Sequence, residues 1–301
     1  DLTGLDFESI EALKSNGMRI FLFSHSQGSL PDYPDALPMP ESALELIGLV
    51  RGSIRSPLLR SLSRENRKSR AKVFGVTSPH AAAGCTSFAI NLASELNIAG
   101  HRTLLVDADS MAPAVAIMIG EQGLHSVKGF QQVGAGFWAM EITQSNSLDS
   151  IALLENAQYE FDFIVIDLGA TYELGQILSG RRWSGEIFVW VASHADRLLV
   201  LSKSDHLSLH RLRKLTQDFL RNSVKPEITF IQSAVKSGRR AATTDEQFFG
   251  AIRALGPKEI LKIPLDSRAL SIAESAHETL YQSNEKSLLR KSIQAIAGEM
   301  K

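Results

Sequence analysis

Short apolar runs of strand length alternate with helical patterns along the chain from residue 72 to its end. The runs occupy residues 73–77, 103–106, 163–166, 197–201, 228–231 and 260–263. Between them, apolar residues recur every three or four positions, as in 86–99 and 207–220, which is typical of amphipathic helices. Strands separated by helix-length segments favour right-handed crossovers and a mainly parallel sheet with helices on both faces. The sequence therefore predicts an α/β fold, whose ligands bind at the carboxyl ends of the strands.

The pattern changes before residue 72, and this change divides the chain into three predicted parts. Residues 1–50 combine a helix-like stretch, an apolar run at 18–23, a loop rich in Pro, Ser and Gly, and a second periodic stretch at 43–50. This part is an α/β piece that is too small to close a sheet by itself. In residues 51–71 basic residues accumulate without interleaved aromatic residues, which favours a solvated linker over a docking strip for a phosphate-rich or acidic partner. Residues 72–301 then form the main domain.

The charge balance and the cysteine content limit the classes of function. The 32 basic and 33 acidic residues give a formal net charge of -1, so no overall field draws the protein to nucleic acid or anionic lipid. The single cysteine, Cys85, excludes an internal disulfide and fits a reducing cytoplasm. The sequence has no apolar run of membrane-spanning length and no signal segment at its start. We therefore predict a cytoplasmic protein, and the first residue, Asp1, leads us to expect a piece of a longer chain.

Three predicted strand ends carry the residues with the clearest chemistry. Residues 76–93 have a strand–loop–helix arrangement with small residues in the loop. Residues 104–109 (LLVDAD) form an apolar strand that ends in two alternating carboxylates, Asp107 and Asp109. Residues 161–169 (FDFIVIDLG) form another, which ends in Asp167. These strand ends are the places where a ligand of an α/β protein is expected.

In this order and spacing, the three segments together resemble the MinD/ParA family of P-loop ATPases. In that family the first strand leads into a glycine loop with lysines, the second ends in D-x-D, and the third ends in the Walker B aspartate. The sequence IPLD at 263–266 is similar to the I-P-x-D that these proteins usually carry. The resemblance covers residues 72–301 and implies the P-loop NTPase fold.

The phosphate loop departs from the expected pattern, G-x-x-x-x-G-K-S/T. When the pattern is placed on Gly84, Pro79 stands at the first glycine and Cys85 at the lysine. His80 stands where the family's second lysine would reach across a dimer, and two alanines replace its glycine pair. Pro79 removes an amide donor, and each lost charge-assisted phosphate contact costs about 1.5–3 kcal/mol. We therefore expect weakened nucleotide affinity and slow or absent hydrolysis.

The resemblance also assigns roles to individual residues around this loop. It implies nucleotide contacts from the loop and from the first turn of the following helix, where backbone amides favour an anion. It implies that Asp107 is the catalytic carboxylate that orients the attacking water. The implied nucleotide-binding residues are His80, Gly84, Cys85, Thr86 and Ser87, and the implied metal ligands are Thr86, Asp109 and Asp167. The expected cofactors are weakly bound ATP and Mg²⁺.

Within this family the chain is most similar to the CpaE/TadZ-type proteins, which help to localise bacterial Flp pilus machinery. These proteins often have an altered phosphate loop and a receiver-like domain ahead of the ATPase domain, and residues 1–50 are similar to the back half of such a receiver. The resemblance implies a protein that positions a bacterial envelope, pilus-assembly or septum-site system through protein partners, with nucleotide biasing a homodimer equilibrium. The alternative is an active Mg-ATP-hydrolysing MinD/ParA-type ATPase in cell division or DNA partition.

Three patterns near the predicted strand ends admit other chemistry. Ser26 lies in a segment similar to the G-x-S-x-G nucleophile elbow of hydrolases, but the prolines that follow oppose the helix that this motif requires. Cys85 at a helix start has the setting of a redox switch, but we expect it to fill the place of the missing lysine. Arg181 and Arg182 are candidates for substitute cations toward a nucleotide.

Two helical patterns admit surface binding. His206 and His210 lie four positions apart on a basic helix, for which a solvated face is favoured over a metal site or non-specific DNA binding. The amphipathic tail at 285–301 is expected to pack as the last helix of the domain. Because MinD proteins end in a membrane-binding helix, peripheral contact with the cytoplasmic face of the membrane is the alternative for this tail.

Overall fold

The computed structural model describes residues 23–24, 37–40, 43, 46, 70–125, 129–179, 183–222, 226–236 and 241–300. Ahead of residue 70 it gives one short parallel pairing, of Phe23–Ser24 with Leu37–Pro38. The receiver-like part and the basic linker remain predictions, because most of residues 1–69 lie outside the described residues. Ser26, Arg181 and Arg182 also lie outside them.

The described residues from 70 onward contain an eight-stranded sheet. Its strands are β1 (Lys72–Ser78), β2 (Thr103–Asp107), β3 (Gln131–Gly134), β4 (Phe137–Glu141), β5 (Phe163–Ala170), β6 (Arg197–Ser202), β7 (Glu227–Val235) and β8 (Ile260–Pro264). Their order is β8-β7-β6-β1-β5-β2-β4-β3, and neighbouring strands are parallel except in the β3–β4 hairpin. The predicted α/β fold with a mainly parallel sheet is confirmed.

Helices cover both faces of this sheet. They are α1 (Cys85–Ile98), α2 (Val115–Met118), α3 (Ser147–Glu160), α4 (Leu174–Ser179), α5 (Trp183–His194), α6 (His206–Arg221), α7 (Ala241–Ile252), α8 (Ser267–Ala276), α9 (Leu280–Ser283) and α10 (Leu288–Glu299), with a 3₁₀ turn at Arg253–Leu255. The helices predicted at 86–99 and 207–220 correspond to α1 and α6. In the described ranges, no helix has both the length and the apolar character needed to cross a membrane.

Side chains of the central strands alternate between two buried cores, one on each face of the sheet. On β1, Val73 belongs to the core beneath α3, α5 and α6, whereas Phe74 and Val76 belong to the core beneath α1, α8 and α10. On β5, Ile164 and Ile166 join the first of these cores. Complete burial of such a side chain contributes about 1.5–3 kcal/mol. The two cores therefore hold the strands that end at the candidate site in a fixed register.

The last helix, α10, packs within the domain, which is the arrangement that the sequence favoured. Leu289, Ile293 and Ile296 are buried in the core that α1 and β8 also line. Arg290 is buried beside them, and its Nε donates to Oε1 of Glu95 on α1 at 2.7 Å. The apolar face of the tail is thus occupied by the domain itself.

Candidate functional site

The carboxyl ends of β1, β2 and β5 bring the predicted site residues to one edge of the sheet. In the register of the parallel strands, Asp167 of β5 lies beside Val76 of β1 and beside Asp107 of β2. The loop at 79–84 leaves β1 at this edge and leads into α1. The structure therefore brings together the loop and the carboxylates that the sequence placed at separate strand ends.

Two left-handed residues shape the loop before α1. Ala82 has φ 58° and Gly84 has φ 96°. The left-handed region costs a residue with a Cβ about 1–2 kcal/mol, so Ala82 is strained where Gly84 is not. Gly84 is also the N-cap of α1 and provides no side-chain cap. The first backbone amides of α1 therefore keep their donors for an anion, and the helix dipole favours negative charge there.

His80 turns inward rather than out of the loop. It is 4% exposed, its Nδ1 lies 2.9 Å from the carbonyl oxygen of Ala81, and its Nε2 lies 3.3 Å from Oγ of Ser202 at the end of β6. The backbone N–H of Lys203 donates to the same Nε2 at 3.4 Å, which requires a neutral ring with its proton on Nδ1. Burial lowers the pKa of His80 below its ordinary value. His80 thus supplies no positive charge to the loop near neutral pH.

Cys85 also supplies no cation. Burial raises the pKa of the Cys85 thiol, and the nearby Asp167 carboxylate raises it further. The thiol therefore stays protonated and has low reactivity, because the thiolate is the nucleophilic form of cysteine.

Both carboxylate oxygens of Asp107 accept hydrogen bonds from backbone amides. Its Oδ1 accepts from the N–H of Asp109 at 3.1 Å, and its Oδ2 accepts from the N–H groups of Ala114 and Val115, both at 2.9 Å. Burial raises the pKa of Asp107 to about 6, although these hydrogen bonds oppose the rise. In this arrangement Asp107 anchors the turn that follows β2, and the role of orienting water stays a prediction.

The side chain of Asp109, just after β2, reaches the end of β5. Its Oδ1 accepts from the N–H groups of Met111 and Ala112 at 2.9 and 3.1 Å. Its carboxylate lies directly against Gly169, where an added Cβ would come within 2.1 Å of Oδ2. The glycine has φ 62°, so both its conformation and its lack of a side chain make room for Asp109 beside Asp167.

Asp167 has one satisfied oxygen and one without a partner. It is fully buried, its Oδ1 accepts from the N–H of Gly169 at 3.0 Å, and its Oδ2 has no hydrogen-bond partner among the described residues. Burial raises the pKa of Asp167 to about 7, the carboxylates of Asp107 and Asp109 raise it as well, and the nearby Thr86 hydroxyl and the Gly169 N–H lower it. The site thus holds three carboxylates, and the described residues at these strand ends include no matching cation.

Asp167 and Thr86 offer oxygen donors of the kind that a hard divalent cation binds, although the described residues contain no group of three or more His, Cys, Asp or Glu that could hold a metal ion by themselves. Mg²⁺ is held in proteins by one or two carboxylates, with hydroxyl groups, phosphates and waters completing the shell. The orphan oxygen of Asp167, beside the Thr86 hydroxyl at the first turn of α1, has the chemistry of such a ligand pair. Asp109 is the next carboxylate toward solvent.

Residues from β6, α6 and the loop after β5 also border the phosphate loop, and the sequence did not indicate them. The N–H of Ala81 donates to the hydroxyl of Tyr172 at 2.9 Å, and the guanidinium of Arg211 lies 5.9 Å from the centre of the Tyr172 ring. Lys214 bonds to Glu173 at 3.3 Å. These contacts join segments that are far apart in the chain, so no local pattern points to them.

The two histidines of the basic helix are exposed. His206 and His210 are both exposed on α6. The structure thus agrees with the solvated face that the sequence favoured for this pair.

The described fold is that of the MinD/ParA ATPases. The chain is similar to a ParA family ATPase from Chlorobium tepidum TLS (TM-score 0.59, 20% identity, covering 76% of this chain and 99% of that one). It is similar to the MinC:MinD cell division protein complex of Aquifex aeolicus (TM-score 0.62, 17% identity, covering 76% of this chain and 96% of that one). It is also similar to the septum site-determining protein MinD complexed with Mg-ADP from Pyrococcus horikoshii OT3 (TM-score 0.58, 13% identity, covering 76% of this chain and 95% of that one). No protein-family model matches the chain, and no curated protein matches its sequence.

Proposed function

We propose that this protein binds a Mg²⁺–ATP complex weakly at the loop between β1 and α1, and that it works as a MinD/ParA-like positioning protein with little or no hydrolysis. The observation that carries the proposal is Asp167. A fully buried carboxylate with a raised pKa and an orphan oxygen is costly unless a cation compensates it. The uncapped start of α1 beside it is suited to the phosphates that such a cation would accompany.

The metal would be held by Thr86 and Asp167, with Asp109 within reach of the same shell. Bound Mg²⁺ would supply charge neutralisation for the nucleotide phosphates. The amides of Gly84, Cys85, Thr86 and Ser87 would hold the phosphates. Asp107 would keep the turn after β2 in place, since both of its oxygens accept backbone amides.

Weak binding and slow hydrolysis follow from the charges at the loop. The two positions that carry lysine in the family pattern are occupied by a neutral, buried histidine and a protonated, buried cysteine. A cation that stabilises the transferred phosphoryl group contributes roughly 10³- to 10⁵-fold to the rate in P-loop enzymes. Loss of these cations therefore affects hydrolysis more than binding, because charge spreads over the phosphoryl oxygens in the transition state.

The cellular role that we propose is the spatial organisation of a bacterial envelope, pilus-assembly or septum-site system, of the CpaE/TadZ type. The similarity to MinD, in one case in complex with MinC and in another described as septum site-determining, supports a role exercised through protein partners. A homodimer whose equilibrium responds to nucleotide, at the cytoplasmic face of the membrane, would serve this role. Contact with DNA is the less favoured possibility, because the net charge of the chain is -1.

A second candidate function is a working ATPase in cell division or DNA partition. The observation that favours it is the retention of the whole carboxylate set, Asp107, Asp109 and Asp167, around Thr86. In this case a cation from elsewhere in the protein would stabilise the transferred phosphoryl group during hydrolysis, beyond any contact that it makes with the bound phosphates.

Titration of the purified protein with Mg-ATP and with ATP plus EDTA, followed by calorimetry, tests the proposed function. We expect saturable binding that requires Mg²⁺ and that is lost in Thr86→Ala and Asp167→Asn. Glu274→Gln, which neutralises an exposed carboxylate on α8, is the matched control and should bind as the wild type does. Binding that ignores Mg²⁺ and both substitutions, or no binding at millimolar nucleotide, would contradict the proposal.

A further inference from the structure

Arg211 on α6 is a cation that the fold brings close to the phosphate loop. Its guanidinium lies 5.9 Å from the centre of the Tyr172 ring, and the hydroxyl of Tyr172 accepts the backbone N–H of Ala81 at 2.9 Å. A cation over an aromatic face is held by the quadrupole of the ring. One tyrosine therefore connects Arg211 to the loop through its ring and its hydroxyl.

A second contact joins the segment that carries Tyr172 to α6. Lys214, one turn after Arg211, bonds to Glu173 at 3.3 Å. Glu173 has φ 52°, which is uncommon for a residue with a side chain. The two contacts keep the start of α6, the loop after β5 and the phosphate loop together.

The charged residues near His80 also include Arg211. Arg211 and Lys203 both lower the pKa of His80, and Asp205 raises it. The carboxylate of Asp205 is engaged at the N-cap of α6, where it accepts from the N–H and the hydroxyl of Ser208. Among the described residues, no carboxylate pairs with the guanidinium of Arg211. Arg211 is partly exposed, so its guanidinium is accessible to solutes.

We infer that Arg211 replaces the missing loop lysines as the cation that binds the phosphates of the nucleotide. This inference rests on the proposed function, since it deepens the same site. Two further observations indicate that an anion accompanied by a metal belongs there, namely the uncapped amides at the start of α1 and the orphan oxygen of the fully buried Asp167. A guanidinium suits the task because its planar donors match two phosphate oxygens at once.

The test compares Arg211 with a basic residue two positions along the same helix. Calorimetric titration with Mg-ATP at low ionic strength is carried out on the wild type, Arg211→Ala, Arg211→Gln and Arg211→Lys, with Arg213→Ala as the control for net charge. Arg213 is exposed on α6. We expect a roughly 10- to 100-fold weaker affinity in both neutral variants, a smaller loss in Arg211→Lys, and less than a twofold change in Arg213→Ala. Thermal unfolding of each variant verifies that it is folded, and Arg211→Gln keeps the length of the side chain if Arg211→Ala is unstable.

The outcomes separate this inference from the function on which it rests. Wild-type binding that is weakened only by the changes at Arg211 supports both. Wild-type binding that is unchanged in Arg211→Ala and Arg211→Gln, or weakened equally in Arg213→Ala, overturns the role of Arg211 and leaves the proposed function in place. No binding of Mg-ATP to the wild type overturns both.

Discussion

Neutralising Asp167 should stabilise the protein that has no ligand bound, by an amount that depends on pH. The pKa of this carboxyl is raised from 3.8 to about 7 by burial, so the folded state keeps its proton to a higher pH than the unfolded chain does. The contribution of the group to stability is therefore fully present below its ordinary pKa and is lost as the pH rises through about 7. At 1.36 kcal/mol for each pKa unit, the rise in pKa costs the folded state about 4 kcal/mol at pH 8, where both states are ionised. At pH 5, where only the unfolded chain is ionised, it costs about 1–2 kcal/mol.

We therefore expect Asp167→Asn to raise the free energy of unfolding by about 4 kcal/mol at pH 8 and by about 1–2 kcal/mol at pH 5. The asparagine keeps an oxygen for the N–H of Gly169 and removes the charge. Urea unfolding at both pH values, monitored by circular dichroism in the presence of EDTA, measures the difference. The same substitution should abolish the stabilisation that Mg-ATP gives to the wild type, since a ligand stabilises only the state that binds it.

Glu274→Gln is the control, because this carboxylate is exposed on α8. Its effect on the free energy of unfolding should be within about 0.5 kcal/mol at both pH values. The reasoning is refuted if Asp167→Asn is less stable than the wild type at pH 8, or if its stability difference is the same at pH 5 and pH 8.

Three further predictions concern other residues near the two cores. Gly169→Ala should lower the free energy of unfolding by at least about 2 kcal/mol, since φ 62° is unfavourable for alanine and the new Cβ would displace the carboxylate of Asp109. Urea unfolding measures this change, and a neutral effect would contradict the close packing of Gly169 against Asp109. Cys85 should react with a thiol reagent such as DTNB only after unfolding, and fast labelling of the native protein at pH 8 would show that the thiol is neither buried nor protonated. Arg290→Ala should cost about 3–5 kcal/mol of stability because it leaves Glu95 buried and unpaired, and the double variant with Glu95→Gln should recover part of that loss; no recovery would mean that Arg290 acts by packing alone.

The central strands and the main helices could be predicted from the sequence because their burial is continuous. β1, β2 and β5 are buried along most of their lengths, so each appears in the sequence as an unbroken apolar run. The hairpin of β3 and β4 was missed. β3 has no fully buried residue and lies at the edge of the sheet, so it lacks the apolar pattern that marks a strand.

The candidate site could be predicted only in part, for reasons of chain distance. The loop and the three carboxylates follow apolar strands directly, and the parallel topology brings such strand ends together. The sequence did not indicate that His80 turns inward, because its partner Ser202 is 122 positions away. It gave Arg181 and Arg182 as candidate substitute cations, and these lie outside the described residues. It indicated Arg211 only as part of a basic helix, because the place of Arg211 at the loop depends on the contact with Tyr172.

The most direct test is a single-turnover measurement with excess wild-type protein over radiolabelled Mg-ATP, at a protein concentration that saturates binding. We expect the nucleotide to be bound and to remain almost entirely ATP for hours, because the loop holds a neutral His80 and a protonated Cys85 where the family pattern has lysines. Conversion of the bound ATP to ADP within seconds to minutes, lost on substitution of Asp107, would contradict a binding protein with little hydrolysis and establish a working ATPase.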